Sequence, residues 1–422
     1  MSPHTSTTNL KILLFAAVCS GLIYGYNAGV YGGVVLQIQA AFDLNSSQLG
    51  HLISIFDFAE IVGVLLSTLA DRIGRRTVLI WSAVVMSIAP FLLLLEPSFT
   101  ILLVERAISG CFAGLIFMIG LIFVAEVAPP EKRATLLSCV MIGVSAGYVA
   151  ELAMSVEFVD NDGWRYPIVL AAVPAIIQVL GLLSLRESPV FYRMRGQLEE
   201  AQLSEVFYGL PPQAGPQRPA SQERTGLRAI VAILQDRHAV RNILLGLVIV
   251  LAGTMSGGSL GIGYGPLLME RFGVTDQAFA LEILIVFTIS GFAVGFIALI
   301  PISRGHTPSV LTAGLLIASA SLFLMFFVSG YWAVALLGAL QLGFSFGIRT
   351  TIFQLLPSFL DDASRVAGMA FYNLVFIFLT GLNKEFIPVM LDAIGAWTFL
   401  VFSAAAFALA IGSALALWAR DR

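Results

Sequence analysis

The sequence predicts an all-α membrane protein, with twelve transmembrane helices arranged as two pseudo-symmetric bundles of six. Three observations predict it. The 422 residues are 58% hydrophobic and only 12% charged, with a mean hydropathy of +0.91. A soluble chain is about 45–50% apolar and about 25% charged, so this one has too few charges to coat a globule, and lipid is its natural solvent. Twelve apolar runs follow one another, each near the ~20 residues that cross a bilayer core. One long polar stretch, residues 193–241, parts those runs into six and six.

The first six runs start near Leu13, His51, Val78, Ile101, Leu136 and Ile168, and the second six near Ile243, Ala278, Val310, Trp332, Val366 and Trp397. The first is too long for a signal-peptide core and lacks a small-residue cleavage site, so it is read as a retained helix. Residues 1–192 are expected to form an N-terminal bundle, 193–241 a cytoplasmic linker and 242–422 a C-terminal bundle. The linker holds PPQAGPQRPASQER, a flexible composition, between short helical pieces RGQLEEAQLSEV and LRAIVAILQDRHAVRN. If the chain starts inside, the inner loops hold Arg72, Arg75, Arg76, Lys132, Arg133, Arg304 and Arg365, together with the linker arginines, Arg420 and Arg422. The outer loops hold only Arg165 and Arg271. That asymmetry puts both termini in the cytoplasm. The short loops and the lack of a transit peptide suggest a bacterial inner (plasma) membrane.

Several segments carry a family resemblance. LADRIGRRTVLI joins the second and third runs, and its Asp71, Arg72, Gly74, Arg75 and Arg76 match the D-R-x-G-R-R loop of the major facilitator superfamily. Arg106-x3-Gly110-x3-Gly114 resembles the superfamily's fourth-helix motif, whose small residues let helices pack closely. VAEVAPPEKRATL, with Glu126 and Arg133, resembles the exit of the fourth helix in the sugar porters. Glu187-Ser188-Pro189 resembles their P-E-S-P-R signature, and YGYNAGVYGG their first helix. The resemblance, to the sugar porters and their organic-ion relatives, implies a secondary transporter working by alternating access about a midplane site. It also implies an inner gate of Asp71, Arg75, Arg76, Glu126, Arg133, Glu187 and Arg365. The plainer reading of those residues is topology-setting charge.

The C-terminal half departs from the pattern. The seventh-helix Q-Q-x-S-G-x-N reads Gly253-Thr254-Met255-Ser256-Gly257-Gly258-Ser259, and the fifth-helix glutamine falls on Met141. The polar residue and Trp of the eleventh helix become Phe376-Ile377 if Arg365 anchors the alignment. ISRGHTPS is a degraded second copy of the D-R-x-G-R-R turn, with Ser303 for its acid. A sugar needs several amides to satisfy its hydroxyls. With most of them missing, an anionic or zwitterionic solute is the first expectation and a sugar facilitator or sugar-proton symporter the alternative.

An ionised side chain at membrane depth costs roughly 2.5–3.5 kcal/mol on the insertion scale, so intramembrane charges mark candidate sites. Asp57 and Glu60, three residues apart, share a helix face. Two acids there resist joint ionisation, which suits a proton carrier; the plainer reading makes each a structural partner of Arg106. Glu151 stands alone in the fifth run. Arg349, in GFSFGIRTTIFQLLP, offers a fork for a carboxylate or a bridge to an acid such as Glu151. Lys384 and Glu385 read as partners of each other's neighbours near the outer end of the eleventh helix or as a snorkelled interfacial pair. Asn27 replaces the first-helix acid of the proton-coupled relatives, and an amide cannot titrate. Protons therefore couple through another acid, or transport is passive. Asn27, Glu151, Arg349, Tyr264 and Tyr24 are the expected substrate contacts, the alternatives being helix packing for Asn27, an earlier end of the fifth helix for Glu151, the bridge for Arg349 and packing or an interfacial position for the tyrosines; Asp57, Glu60 and Arg106 are the expected proton-coupling group.

Other classes are disfavoured. No nucleophile–base pair, phosphate loop or metal-ligand cluster supports an enzyme, and no cofactor or metal is expected. A net charge of −3 argues against a nucleic-acid partner. Cys19, Cys111 and Cys139 lie in apolar runs without CxxC spacing, which suggests neither disulfides nor zinc. A non-transporting receptor would be expected to carry a longer cytoplasmic extension than the stretch ending at Arg422. The expected partners are a small molecule, the lipid bilayer and, if coupled, protons, with the chain acting as a monomer.

Overall fold

A computed structural model describes residues 3–95, 98–159, 163–212, 237–360 and 365–420. Among these, twelve helices are long and apolar enough to cross a membrane. They are α1 Asn9–Gly33, α2 Ser46–Ile73, α3 Arg75–Leu94, α4 Phe99–Val127, α5 Pro130–Phe158 and α6 Arg165–Leu183, then α7 Val240–Gly261, α8 Gln277–Ser303, α9 Thr307–Met325, α10 Gly330–Ile352, α11 Gly368–Ala393 and α12 Trp397–Ala419. The all-α, twelve-span expectation holds. Of the two short helices expected in the linker, RGQLEEAQLSEV folds as Leu198–Tyr208, while most of the second lies outside the described residues.

The chain divides into two compact units, residues 1–34 with 55–222 and residues 35–54 with 223–422. In the first unit, α1 and α5 are packed backbone to backbone. A Cβ built on Gly21 or Gly25 would lie 1.9 Å from the carbonyl oxygen of Val140 or Val144. One on Gly143 or Gly147 would lie 2.3 or 2.4 Å from that of Val18 or Leu22. Glycine alone allows this approach, the small-residue packing that membranes favour where no hydrophobic force pulls helices together. The apolar core of the unit runs through Leu13, Phe56, Leu79, Ile116, Phe123 and Leu182, all essentially without exposure.

The second unit is assembled differently. The helix Arg237–Thr254 ends at the glycine-rich stretch, Gly257 takes φ +84°, and the helix Gly258–Arg271 follows with a kink at Tyr264 ahead of Pro266. The span α7 is therefore discontinuous. A broken helix at membrane depth needs its freed carbonyls satisfied, and Asn383 of α11 donates to the Thr254 oxygen at 2.7 Å. In α10, Phe344–Arg349 forms a π turn, packed through Gly343 and Gly347 against Gly314 of α9. The helix Val35–Phe42 and α2 as far as Ser54 belong to this unit, while the rest of α2 belongs to the first.

Candidate functional site

The expected intramembrane charges of the first unit cluster about one guanidinium. Arg106 is fully buried, stacked 4.6 Å from the Tyr31 ring centroid and 4.4 Å from that of Phe56. Its Nη1 donates to the Asn27 carbonyl. Asp57 and Glu151 lie within its electrostatic reach. Asn27 is 1% exposed, with its amide turned back to the Ile23 carbonyl at 2.8 Å. That is a helix-internal bond, and it leaves the backbone of Asn27 as the part that meets Arg106. Glu60 accepts from the Tyr24 hydroxyl at 3.1 Å, and the Tyr24 ring stacks on Phe117 at 4.7 Å. Glu151 is buried beside Gly29 and Gly33 of α1.

Glu105 joins this group without having been singled out from the sequence. It is 1% exposed and accepts from the hydroxyls of Tyr31 and Ser109, both at 2.5 Å. The signal was present, because the rule that selects a buried Arg106 applies equally to the acid beside it.

At the end of the unit that carries the Gly74 turn, the expected gate residues of this unit gather. Gly74, at φ +104°, turns the chain between α2 and α3. Arg75 is 4% exposed and holds Asp71 at 2.8 Å and Glu126 at 3.0 Å. Glu187 accepts from the backbone N–H groups of Arg76 at 3.0 Å and Thr77 at 3.3 Å. It thus places an acid on the first turn of α3, where the helix dipole favours one. Arg76 itself donates to the Leu182 carbonyl at 2.8 Å. Ser188 bonds Glu126 and caps the helix Pro189–Met194. Arg133 is exposed and lines a cavity of about 290 Å³ with Glu126, Arg193 and Glu205. Arg365 opens the helix Arg365–Ala393 in the second unit. The buried pair Arg193–Glu205 pins the helix Leu198–Tyr208 and was not expected. Beside it, burial pushes the Tyr208 phenol well above its ordinary value, and its hydroxyl donates to the Arg186 carbonyl at 2.6 Å.

The candidates of the second unit do not gather about one charge. Tyr264 is fully buried and spends its hydroxyl on the Lys384 carbonyl at 2.5 Å, beside the break in α7. Arg349 is exposed at the end of the π turn and makes no ion pair with another described residue. Glu385 accepts from Ser54 and pairs with His51, a histidine the sequence had offered no reason to choose. Met141, at the position of the missing fifth-helix amide in the first unit, is 45% exposed in an open apolar depression with Leu121, Ile122 and Leu137.

The family model described as Sugar (and other) transporter matches residues 12–416. The chain belongs to that family. Two curated relatives are similar along nearly the whole chain. The glucose transporter GlcP of Staphylococcus epidermidis is 26% identical over 415 residues, covering 94% of this chain and 91% of that protein. The arabinose-proton symporter of Bacillus subtilis is 27% identical over 418 residues, covering 92% and 87%. A solved D-xylose-proton symporter shares the fold, with a TM-score of 0.78 at 18% identity over 95% of this chain and 96% of that one. This sugar transporter family member is a multi-pass transporter of the major facilitator type and not an enzyme. The family match and these relatives favour the sugar alternative over the anionic or zwitterionic solute that the intramembrane charges suggested.

Proposed function

We propose that the chain is a sugar porter that carries a monosaccharide or polyol by alternating access and couples its movement to protons. The family match across residues 12–416 is the observation that carries this reading. The buried acids around Arg106 support the proton arm, since an arginine stacked on two aromatic rings beside several carboxylates cannot keep all of them ionised in a low dielectric. With Asn27 where related symporters hold an acid, coupling falls to the acids around that arginine. Both termini lie in the cytoplasm on the arginine count, so the Gly74 turn and the Arg75–Glu126–Glu187 network form the inner gate of the first unit, with Asp71, Arg76 and Arg133 as its other charges. In the second unit the solute site draws on the break in α7.

The test is uptake into liposomes holding the purified protein, with an inward acid gradient and labelled D-glucose, D-xylose or L-arabinose. At least one sugar should accumulate and be lost when a protonophore collapses the gradient. Accumulation of a carboxylate or amino acid with no uptake of any sugar would overturn the reading.

A further inference from the structure

One stripe of α1 meets a charged residue or its neighbour at every step. Tyr24, Asn27 and Tyr31 are spaced by three and four residues and so share a face. Tyr24 bonds Glu60 of α2, the Asn27 carbonyl takes Arg106 of α4, and Tyr31 bonds Glu105 of α4. Glu105 lies six residues into α4, about 9 Å from its start, while Glu60 lies fourteen residues into α2, about 21 Å from its start. Those two helix starts and the Gly33 end of α1 are on the same side of the bundle. The buried acids therefore descend from that side toward the middle of the span. On the orientation proposed above it is the outer side.

We propose that Glu105 and Tyr31 form the outermost station of a proton relay along α1, with Glu105 as the group that takes up the proton. This inference rests on the coupled-porter reading. Three groups of charge and hydroxyl face the station: Tyr31 from α1, Arg106 and Ser109 from α4, and, through Arg106, Asp57 of α2 and Glu151 of α5. One guanidinium thus stands against three carboxyls, all at most 5% exposed. Joint ionisation would leave net negative charge in a low dielectric, so at least one proton is held among them.

Geometry selects Glu105 as the one that exchanges it. Each of its oxygens already faces a hydroxyl, and a hydroxyl accepts as readily as it donates. A proton added on Oε1 gives a neutral carboxyl that donates to Ser109 Oγ, whose own proton turns to the backbone carbonyl four residues back, while Tyr31 goes on donating to Oε2. No bond to either hydroxyl need be abandoned. Glu151, by contrast, has a buried oxygen without a hydrogen-bond partner among the described residues. The Tyr31 ring also carries the Arg106 guanidinium, so a change at the phenol reaches the residue that holds the Asn27 backbone.

The first experiment is pH-difference infrared spectroscopy of the purified protein, which needs no substrate. The carboxylic-acid C=O band of the wild type should lose a component in Glu105→Gln and shift in Tyr31→Phe, where the phenol is absent but the acid remains. A Glu105→Gln spectrum identical to wild type would make Glu105 a permanent counter-ion of Arg106 and overturn the proposal. Should Glu105→Gln fail to fold, Tyr31→Phe decides alone, an unshifted band being the overturning result. In liposomes, Glu105→Gln should lower proton-driven sugar accumulation about tenfold. Counterflow, which needs no net proton movement, should stay near the wild-type rate, and Glu105→Asp should recover coupling. Loss of counterflow along with accumulation would mark a purely structural role. Wild-type liposomes that take up no sugar would sink the porter reading alone, because the infrared band tests Glu105 independently.

Discussion

The Gly74 turn of the first unit and the Gly305 turn of the second are two copies of one idea with different support. Both glycines take positive φ, +104° and +83°. At Gly74 the turn is enclosed: a Cβ there would sit 2.3 Å from Glu187 Oε2, and the next residue, Arg75, is buried between Asp71 and Glu126. At Gly305 a Cβ would meet nothing within 4 Å. Arg304 is exposed there, and the turn is closed by backbone bonds such as Gly305 N–H to the Ile302 carbonyl at 2.9 Å, with Ser303 donating to the Ile300 carbonyl at 2.8 Å. The same chain reversal needs only a glycine. The charges around Gly74 are more than a turn requires, which supports the gate proposed for them.

Perturbing each turn should break or sharpen that contrast. The largest effect is expected for Arg75→Ala, which strips Glu126 of its buried cation. Removing one partner of such a pair costs about 3–5 kcal/mol, read as a lowered melting temperature in detergent with transport lost as well. Unchanged stability in this variant would mean that Glu126 and Ser188 hold the inner end without it. Next is Gly74→Ala, which combines a backbone conformation nearly reserved for glycine with the Glu187 contact and should cost about 2–3 kcal/mol. Gly305→Ala carries only the conformational part, about 1 kcal/mol. Equal melting temperatures for these two alanine variants would erase the distinction between the turns. Smallest is Ser303→Asp, which restores the acid of the degraded copy on an exposed turn and should stay within about 0.5 kcal/mol of wild type. A gain clearly beyond that would show that the second turn also has a charge network within reach.

How much of this was legible in the sequence differs by layer. The span count came from runs of apolar residues, because bilayer thickness fixes helix length whatever the side chains do. The gate residues came from short motifs whose partners sit near one another in the chain, such as Asp71 and Arg75, one helical turn apart. Glu187 reaching the first turn of α3 is legible only through resemblance, since 111 residues separate it from Arg76. Glu105 and His51 escaped because their meaning depends on what faces them: Tyr31 on another helix, and Glu385 far along the chain. The solute was read from the wrong signal. Intramembrane charges suggested a charged cargo, yet in the first unit those charges are largely engaged with one another. Tyr264 shows the same limit, since nothing in its sequence context says that its hydroxyl is already spent on a backbone carbonyl.

The glycine seam between α1 and α5 has a consequence for how the chain is made. Gly25 and Gly147 are 122 residues apart in the sequence. At a synthesis rate of about 5–20 residues per second, α1 leaves the ribosome roughly 6–24 s before α5 is there to cover its notched face. During that interval the exposed carbonyl rows of α1 lie against lipid or the insertion machinery, while α2 and α4 emerge with the partners of Tyr24, Asn27 and Tyr31. The helix that organises the buried charges thus waits through the synthesis of three further helices for its closest neighbour. Substitutions that enlarge Gly143 or Gly147 would prolong that wait, and their first symptom would be a shortfall of inserted protein, ahead of any fault in transport.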